Sequence, residues 1–499
     1  MSKTVELKKS VPVVDEVDVL VVGAGIAGST AAVTAAREGA KTMVVDRFGY
    51  PGGNMGPGMI GGAPNIDCRS IDPSSVPGEF IRRCESLCNA PLLRNYFRDS
   101  QVISYIWLKM MQEAGVQFMF NTYAGDPIME GNRVVGLFVE NKNGTQAIRA
   151  KVVIDATGDA DVAARAGAPI DEGKSYFHAG MYFAMANVDI ERYWKKVWHM
   201  WTPPDLKDKH FAEPHKFIYT RDEISFTPRP EDLRWAESID RSIDKPHPSV
   251  VNMAKSPYIG PFFPYYRAAW EAGEYKFLQE IDGIGWVYCD HGIFRSVSGV
   301  QYVPDPLRIG RYGIVGALVG VWRNENPTSG DTKIMTAIEV KCRTFIFETA
   351  QFLIRWVPGF EKAYLHMIAP YFHARGGRSI ISERPVTMED VKQGRKFDDV
   401  IFQVSRGEKT YDFPYRQLLP RRIDGLLVTG RACIIQPPVM RERWMVFLMG
   451  QAAGVAAALS AQKEKMPRDL DVKELQKILY HRYKMPLGDT NRLKELGVL

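Results

Sequence analysis

The first residues whose types and spacing imply chemistry are Gly23-x-Gly25-x-x-Gly28. They follow the apolar run VDVLVV (Val17–Val22) and open a stretch of small residues. At that spacing Gly23 allows a tight turn and Gly25 lets the backbone approach a pyrophosphate. Gly28 lets the next helix pack on the strand. The free N–H groups of the helix and the positive end of its dipole would then meet the phosphates. Asp46 stands 18 residues beyond Gly28, where a carboxylate accepts hydrogen bonds from adenosine ribose hydroxyls. These residues together imply dinucleotide binding and leave FAD and NAD both open.

Such residues need a strand–helix–strand unit, and the pattern supplies one. Val17–Val22 has strand length, a helix runs from about Ala27 to Glu38 and stops at Gly39, and Lys41–Asp46 forms the second strand. A Gly-rich loop covers Gly49–Gly62. Helical patterns at Gly78–Cys88 and Ser100–Ala114 precede strands at Gln117–Thr122, Arg133–Glu140 and Gln146–Ile154. Asn143-Gly144 marks a hairpin between the last two. The middle, from about Ala168 to Pro327, holds seven of the ten tryptophans and has irregular patterns; it reads as a separate substrate-covering domain. A long helix is expected over Asp331–Phe352. A strand at Gly425–Thr429, a small-residue helix at about Val446–Ala461 and a tail helix at Asp471–Tyr483, capped by Asp471, complete the chain.

Length and composition bound the rest. A chain of 499 residues is too long for one core. Hydrophobic residues at 45% and charged residues at 24% suit a globular protein. A net charge of +6, scattered along the chain, does not argue for nucleic acid. No apolar run reaches the roughly 18 residues of a membrane span, and the N-terminus lacks a secretory apolar core, so a cytoplasmic protein is expected. Six cysteines suit a reducing compartment. Cys84 and Cys88 would share a helix face as core residues, and no His or Cys spacing completes a metal site.

Three further features favour FAD over NAD. Gly52-Gly53-Asn54 closely follows the ribose acid, where a backbone loop can pass over ribitol or pyrophosphate. Asp155-Ala156-Thr157-Gly158-Asp159 ends a strand in a tight loop. Leu426–Thr429 leads to Gly430-Arg431, followed by Met449-Gly450-Gln451-Ala452-Ala453-Gly454 in a helix. With VVIDATGDADVAARAGAP, FPYRQLLPRRIDGLLVTGR and MGQAAGVAAAL, the chain resembles the FAD-dependent oxidoreductases of the glutathione-reductase structural class, relatives of the fumarate reductase and succinate dehydrogenase flavoproteins.

The resemblance implies an α/β fold. A Rossmann-like FAD-binding domain in three layers, with a parallel sheet plus β-meander, would carry an inserted α+β substrate domain. Residues 12–170 and 404–465 would form the FAD-binding domain, 171–403 the substrate or cap domain, and 466–499 a helical tail. The implied cofactor residues are Gly23, Gly25, Ile26, Ala27 and Gly28; Asp46 and Arg47; Gly52, Gly53 and Asn54; Ala156, Thr157, Gly158 and Asp161; Gly430 and Arg431; and Met445 and Val446. A closing helix beginning near Val446 would aim its N–H groups at the flavin pyrimidine edge, where charge develops. No cysteine or histidine in the Gly49–Gly62 loop offers a covalent attachment point, so FAD is expected to be non-covalent.

A flavin exchanges hydride, and the protein must place the substrate and manage one proton. Three segments are candidates for that work. Tyr371-Phe-His373-Ala-Arg375-Gly-Gly-Arg378 has an arginine, Arg375, where the family pattern has one, and an added imidazole at His373. Arg375 and Arg378 can equally serve as structural ion pairs. His178 stands at the entry of the substrate domain, and Arg441 precedes the closing helix. Arg441 can clamp a carboxylate bidentately or pair with Glu442. The expected catalytic set is therefore His178, His373, Arg375 and Arg441, in a dehydrogenase or reductase acting on a small-molecule substrate. The electron donor or acceptor is open, and a homo-oligomer is possible. A flavin monooxygenase loses support because Gly430-Arg431 stands where many hydroxylases carry Gly-Asp. A flavin-bearing binding protein without turnover is the third reading.

Overall fold

The computed structural model describes residues 5–6, 8–60, 71–88, 100–172, 179–198, 226–256, 259–289, 312–323, 330–374, 377–406, 409–434 and 443–499. The first part runs β1 (Val13–Val22), α1 (Ile26–Arg37), β2 (Thr42–Val45), α2 (Val76–Cys88), α3 (Ser100–Glu113), β3 (Gln117–Met119), β4 (Tyr123–Glu130), β5 (Arg133–Asn141) and β6 (Gly144–Asp155). These strands form a mixed sheet in the order β3-β2-β1-β6-β5-β4. The β1–β2, β2–β3 and β1–β6 pairs are parallel, whereas β5 joins β4 and β6 antiparallel through the 141–144 turn.

Two of these elements differ from the sequence expectation. β1 starts at Val13 because its exposed first residues continue the ladder to β6, pairing Val13 with Ala147. β4 carries Gly125-Asp126-Pro127 and its register shifts between Ala124 and Pro127. A proline is tolerated there because β4 is the edge strand.

The middle of the chain contains α4 (Asp161–Arg165), β7 (Ile170–Asp171), β8 (Ala179–Asp189), α5 (Ile190–Tyr193), α6 (Pro230–Ser242), α7 (Val250–Lys255) and α8 (Phe263–Glu271). It continues through β9 (Leu278–Ile281), β10 (Gly285–Cys289), β11 (Tyr312–Arg323), α9 (Thr332–Trp356), β12 (Tyr364–Ile368) and β13 (His373–Ala374). The stretch that read as irregular holds an ordered antiparallel sheet, β12-β8-β11-β10-β9, with β13 also paired to β8. β8 is buried from Gly180 to Ala186, so it shows no in–out alternation. α9, capped by the Asp331 carboxylate, packs on this sheet.

The chain then returns through β14 (Ser379–Ile380), α10 (Met388–Gln393), β15 (Val400–Arg406), β16 (Lys409–Pro414), β17 (Leu426–Val428), α11 (Arg443–Lys463), α12 (Val472–His481) and α13 (Thr490–Glu495). β17 pairs parallel with the last three residues of β6, beyond the point where β5 leaves it. α11 lies along α1. A Cβ on Gly450 would overlap Ala27 O, and one on Gly454 would sit 2.6 Å from Ala31 O. The small residues of both helices are therefore what allows two backbones to touch.

Trp444–Lys463 has a mean hydropathy of 1.5 and is long enough to cross a membrane, but 94% of that window is buried. The apolarity of this helix serves the core. One hydrophobic cluster joins the first sheet to α11 and the tail, and a second gathers residues from Met181 to Phe372 with Met59 and Ile60.

Candidate cofactor and active site

The dinucleotide turn forms between β1 and α1. A Cβ at Gly23, whose φ is +99°, would lie 2.6 Å from Ala156 O, and one at Gly28 would overlap Gly23 O. Packing therefore demands both glycines. Gly25 differs: its φ of −67° suits any residue and a Cβ there would meet nothing within 4 Å. The space in front of it is open, and no side chain caps α1. The first-turn N–H groups, from Ile26 to Gly28, thus lack intrahelical partners and face a cradle that fits a phosphate.

Around this turn the expected segments converge. Gly52 N–H donates to Ala24 O at 2.8 Å, and a Cβ on Gly53 would come within 2.9 Å of Gly25 Cα. The loop carrying Asn54 is thus laid directly on the turn. Ala156 N–H donates to Val22 O at 2.9 Å. A Cβ on Gly430 would stand 3.1 Å from Ala27 Cβ and 3.8 Å from Val446 Cγ1. That brings the first turn of α11 to the same place. α11 begins at Arg443 rather than near Val446, and Met445 is fully buried. Met445 thus packs in the core, and only Val446, of the two, is partly exposed.

Asp46 ends β2. Its Oδ2 accepts from Ala24 N–H at 2.5 Å and its Oδ1 from Phe48 N–H at 2.8 Å. Burial raises its pKa, opposed by these two N–H groups and the Arg47 charge. Each oxygen keeps a lone pair, so the carboxylate is oriented by backbone while it can still accept from a hydroxyl.

Asp155 is fully buried at the end of β6. Its oxygens accept from Thr157 Oγ1 (2.7 Å), Thr157 N (3.1 Å) and Ala163 N (2.9 Å), which ties the 155–163 loop. Desolvation pushes its pKa up to about 6. In that loop Asp159 pairs with Arg431 at 2.7 Å. Asp161 pairs with Arg378 at 2.5 Å, and Arg378 Nε also donates to Asp159 O at 3.1 Å. Arg378 thus ion-pairs within the protein, whereas Arg431 Nη1 is buried with no partner among the described residues. Thr429 Oγ1 is a second buried polar atom with no partner among the described residues. Both flank Gly430, and both offer hydrogen bonds that the protein itself does not use. Two orphans beside an open cradle and uncapped N–H groups fit a polyphosphate cofactor.

A family profile described as FAD dependent oxidoreductase matches residues 18–280 and 307–479. The chain belongs to the FAD-dependent oxidoreductase family. It is an oxidoreductase and a flavoprotein, with FAD as its cofactor. It is 27% identical over 192 residues to a digeranylgeranylglycerophospholipid reductase of Methanococcoides burtonii, covering 36% of this chain and 47% of that protein. It is 31% identical over 169 residues to a thiamine thiazole synthase of Aeropyrum pernix, covering 30% of this chain and 57% of that protein. The chain thus spans about half the length of the curated relatives it matches. Among solved structures, a geranylgeranyl bacteriochlorophyll reductase-like protein of Thermoplasma acidophilum overlaps 97% of this chain and 96% of its own, at 13% identity and a TM-score of 0.37.

Of the expected catalytic residues of this oxidoreductase, His178, Arg375 and Arg441 lie outside the described residues, and His373 is described by its backbone alone. His373 pairs with Gly180 and Ala374 with Ala179 across β13 and β8. Two of the three candidate segments therefore meet in one sheet. The sequence reading did not single out Thr429, whose buried Oγ1 lies beside Gly430, or Tyr371 as a ring stacked on Phe48 just after Asp46. Thr429 could have been found as the polar residue ending an apolar strand just before Gly430-Arg431. Tyr371 carries no such local signal.

Proposed function

We propose that this chain is a dehydrogenase or reductase of the glutathione-reductase structural class, related to the fumarate reductase flavoproteins. Its Rossmann-like domain would hold FAD without a covalent link. The observation that carries the reading is the cradle at Gly25, open in front of uncapped helix N–H groups and flanked by the unpartnered Arg431 Nη1 and Thr429 Oγ1. Bound FAD supplies hydride exchange at N5 with a small or mid-sized organic substrate.

The chain's own residues would do the rest. N–H groups from Ile26 to Gly28 neutralise the pyrophosphate, and Asp46 accepts from the ribose hydroxyls. Arg47, Gly52, Gly53, Asn54, Ala156, Thr157, Gly158 and Asp161 line the cofactor's path. Gly430, Arg431 and Val446 would close its far end, with Met445 buried in the core behind the first turn of α11. His178 or His373 exchanges a proton at neutral pH, and Arg375 and Arg441 anchor a carboxylate or carbonyl. The inserted substrate or cap domain would span residues 171–403, with Ile380 and the buried residues after it packing in the first core.

The test is an anaerobic screen of organic acids and alcohols for bleaching of the flavin band. Substrate-dependent bleaching without oxygen supports a dehydrogenase. Turnover that needs oxygen and NAD(P)H together would favour a monooxygenase. A bound flavin that no metabolite reduces would point to a binding protein. Alanine at each of His178, His373, Arg375 and Arg441 locates the chemistry. The true proton carrier should lose roughly 10²–10⁴ in turnover with FAD retained. A ground-state clamp should chiefly raise KM.

A further inference from the structure

The inner face of α9 is buried in the second core through Ile338, Cys342, Phe345, Ile346, Phe352 and Leu353. Its outer face carries Thr336, Val340, Thr344, Phe347 and Gln351, all exposed and none charged. Successive members stand three or four residues apart, so they line one stripe about 22 Å long. Val340 is 61% exposed and Phe347 is 58% exposed. Both hydroxyls of the stripe are used inside the helix. Thr336 Oγ1 donates to Thr332 O at 2.7 Å, and Thr344 Oγ1 donates to Val340 O at 3.1 Å. Covering the stripe therefore strands neither hydroxyl proton. Apolar side chains grouped on one uncharged face, rather than scattered singly, mark a contact surface.

The charges on the flank of the stripe select its occupant. Lys341 and Glu348 are seven residues apart and so stand on the same flank. Neither has an opposite charge three or four positions along the helix. Among the described residues, the ion pairs of α9 are Arg343–Glu339 and Arg355–Glu274, which leaves Lys341 and Glu348 without one. Glu348 accepts from the neutral amide of Gln279 at 2.5 Å. The midpoint of Lys341 and Glu348 falls beside Thr344, near the centre of the stripe. A two-fold axis at that point lays a second α9 antiparallel on the first. Each Lys341 then faces Glu348 of the second copy, and each Phe347 faces the gap between Val340 and Thr344 of the second copy. A parallel arrangement would set Lys341 against Lys341. Reciprocal matching of one patch with itself is what a two-fold interface requires. We propose that the outer face of α9 is a homodimer contact, covered by the same face of a second copy of this chain in antiparallel orientation. One helix face is smaller than the roughly 800 Å² per partner of a standard interface, so this dimer dissociates on dilution.

Sedimentation equilibrium of the full-length, FAD-loaded protein over a range of concentrations tests this. Wild type should show a monomer–dimer equilibrium. Phe347→Glu, at an exposed position, should raise the dimer dissociation constant at least about tenfold, with flavin content and melting temperature unchanged. Lys341→Glu and Glu348→Lys should each weaken the dimer in the same direction, because each sets like charges opposite one another. The double variant Lys341→Glu with Glu348→Lys should return to within about threefold of wild type. That rescue cannot arise inside one helix, where the two positions are two turns apart, and it keeps the proposal testable should Phe347→Glu not fold. A wild type that stays monomeric at every concentration up to its solubility limit overturns the proposal and leaves the face to a different partner. A dimer that Phe347→Glu does not weaken, or a double variant no tighter than the single ones, overturns it as well, because the copies then meet elsewhere or in another orientation.

Discussion

At the scale of single residues, the three motif glycines carry different burdens. Gly23 and Gly28 are demanded by contacts inside the protein, and Gly25 is not. Gly28→Val should therefore destabilise the folded chain by about 1–3 kcal/mol or more, since its side chain must displace the Gly23 carbonyl. Gly25→Val should unfold at nearly the wild-type denaturant midpoint when FAD is removed, and yet hold no FAD. Urea unfolding of the two deflavinated variants, together with their flavin content, decides this. A large stability loss in Gly25→Val would move that glycine from ligand approach to packing. Asp46→Ala should retain FAD more weakly, by about 1.5–3 kcal/mol for lost charge-assisted hydrogen bonds, measured as a higher dissociation constant.

At the scale of elements, the contact of α1 with α11 holds the two ends of the chain together. Gly450 and Gly454 lie against Ala27 O and Ala31 O, so a larger side chain must separate the helices. Gly454→Val should cost about 1–3 kcal/mol and also lower FAD affinity, because it shifts the first turn of α11 away from Gly430. A variant that loses stability without losing FAD affinity would show that α11 does not set the cofactor site. The cap of α12 offers a control far from the site: Asp471 accepts from Lys473 N at 3.0 Å. Asp471→Ala should cost about 1 kcal/mol with FAD affinity unchanged.

Element type was legible wherever the pattern was local and one-sided. α1, α9 and the Asp471-capped α12 came out within a few residues of their expected ends. β4 was not legible, because Gly125-Asp126-Pro127 breaks the strand signal and an edge position tolerates the break. β8 and β11 were missed for the opposite reason. β8 is buried along most of its length, and β11 is rich in glycine as YGIVGALVGVWR, so neither alternates.

At the scale of the whole molecule, acid stability should carry an unusual component. The buried Asp155 has a folded pKa of about 6, above the ordinary 3.8. The folded state therefore binds this proton more tightly than the unfolded chain does. Its contribution to stability is complete below about pH 4 and is lost as pH rises through about 6. Asp155→Asn cannot ionise, so the stability of wild type relative to this variant should fall between pH 4 and pH 6.5. Urea unfolding across that range measures it, and a difference that is flat or rises with pH contradicts the buried, raised carboxyl. Groups such as Asp390, held low by Arg384 and Thr387, act in the opposite sense and cancel in the comparison.

The sequence by itself determined a dinucleotide site, because a phosphate-binding turn is a local object. Strand, three glycines, helix, second strand and acid all fall within residues 17–46, and backbone geometry over that range is set by neighbours in the chain. It also determined that the far end of the chain returns to the same fold, since 426–431 and 449–454 carry their own short-range motifs. Only the tertiary structure decided which glycine is kept for packing and which faces open space. Nor could the sequence foretell that Arg378 serves Asp161, that Arg431 keeps one unpartnered nitrogen, or that Tyr371 lies on Phe48. Those outcomes join residues up to several hundred positions apart. A contact of that kind leaves no period in the chain, because it is fixed by how two separately formed cores meet.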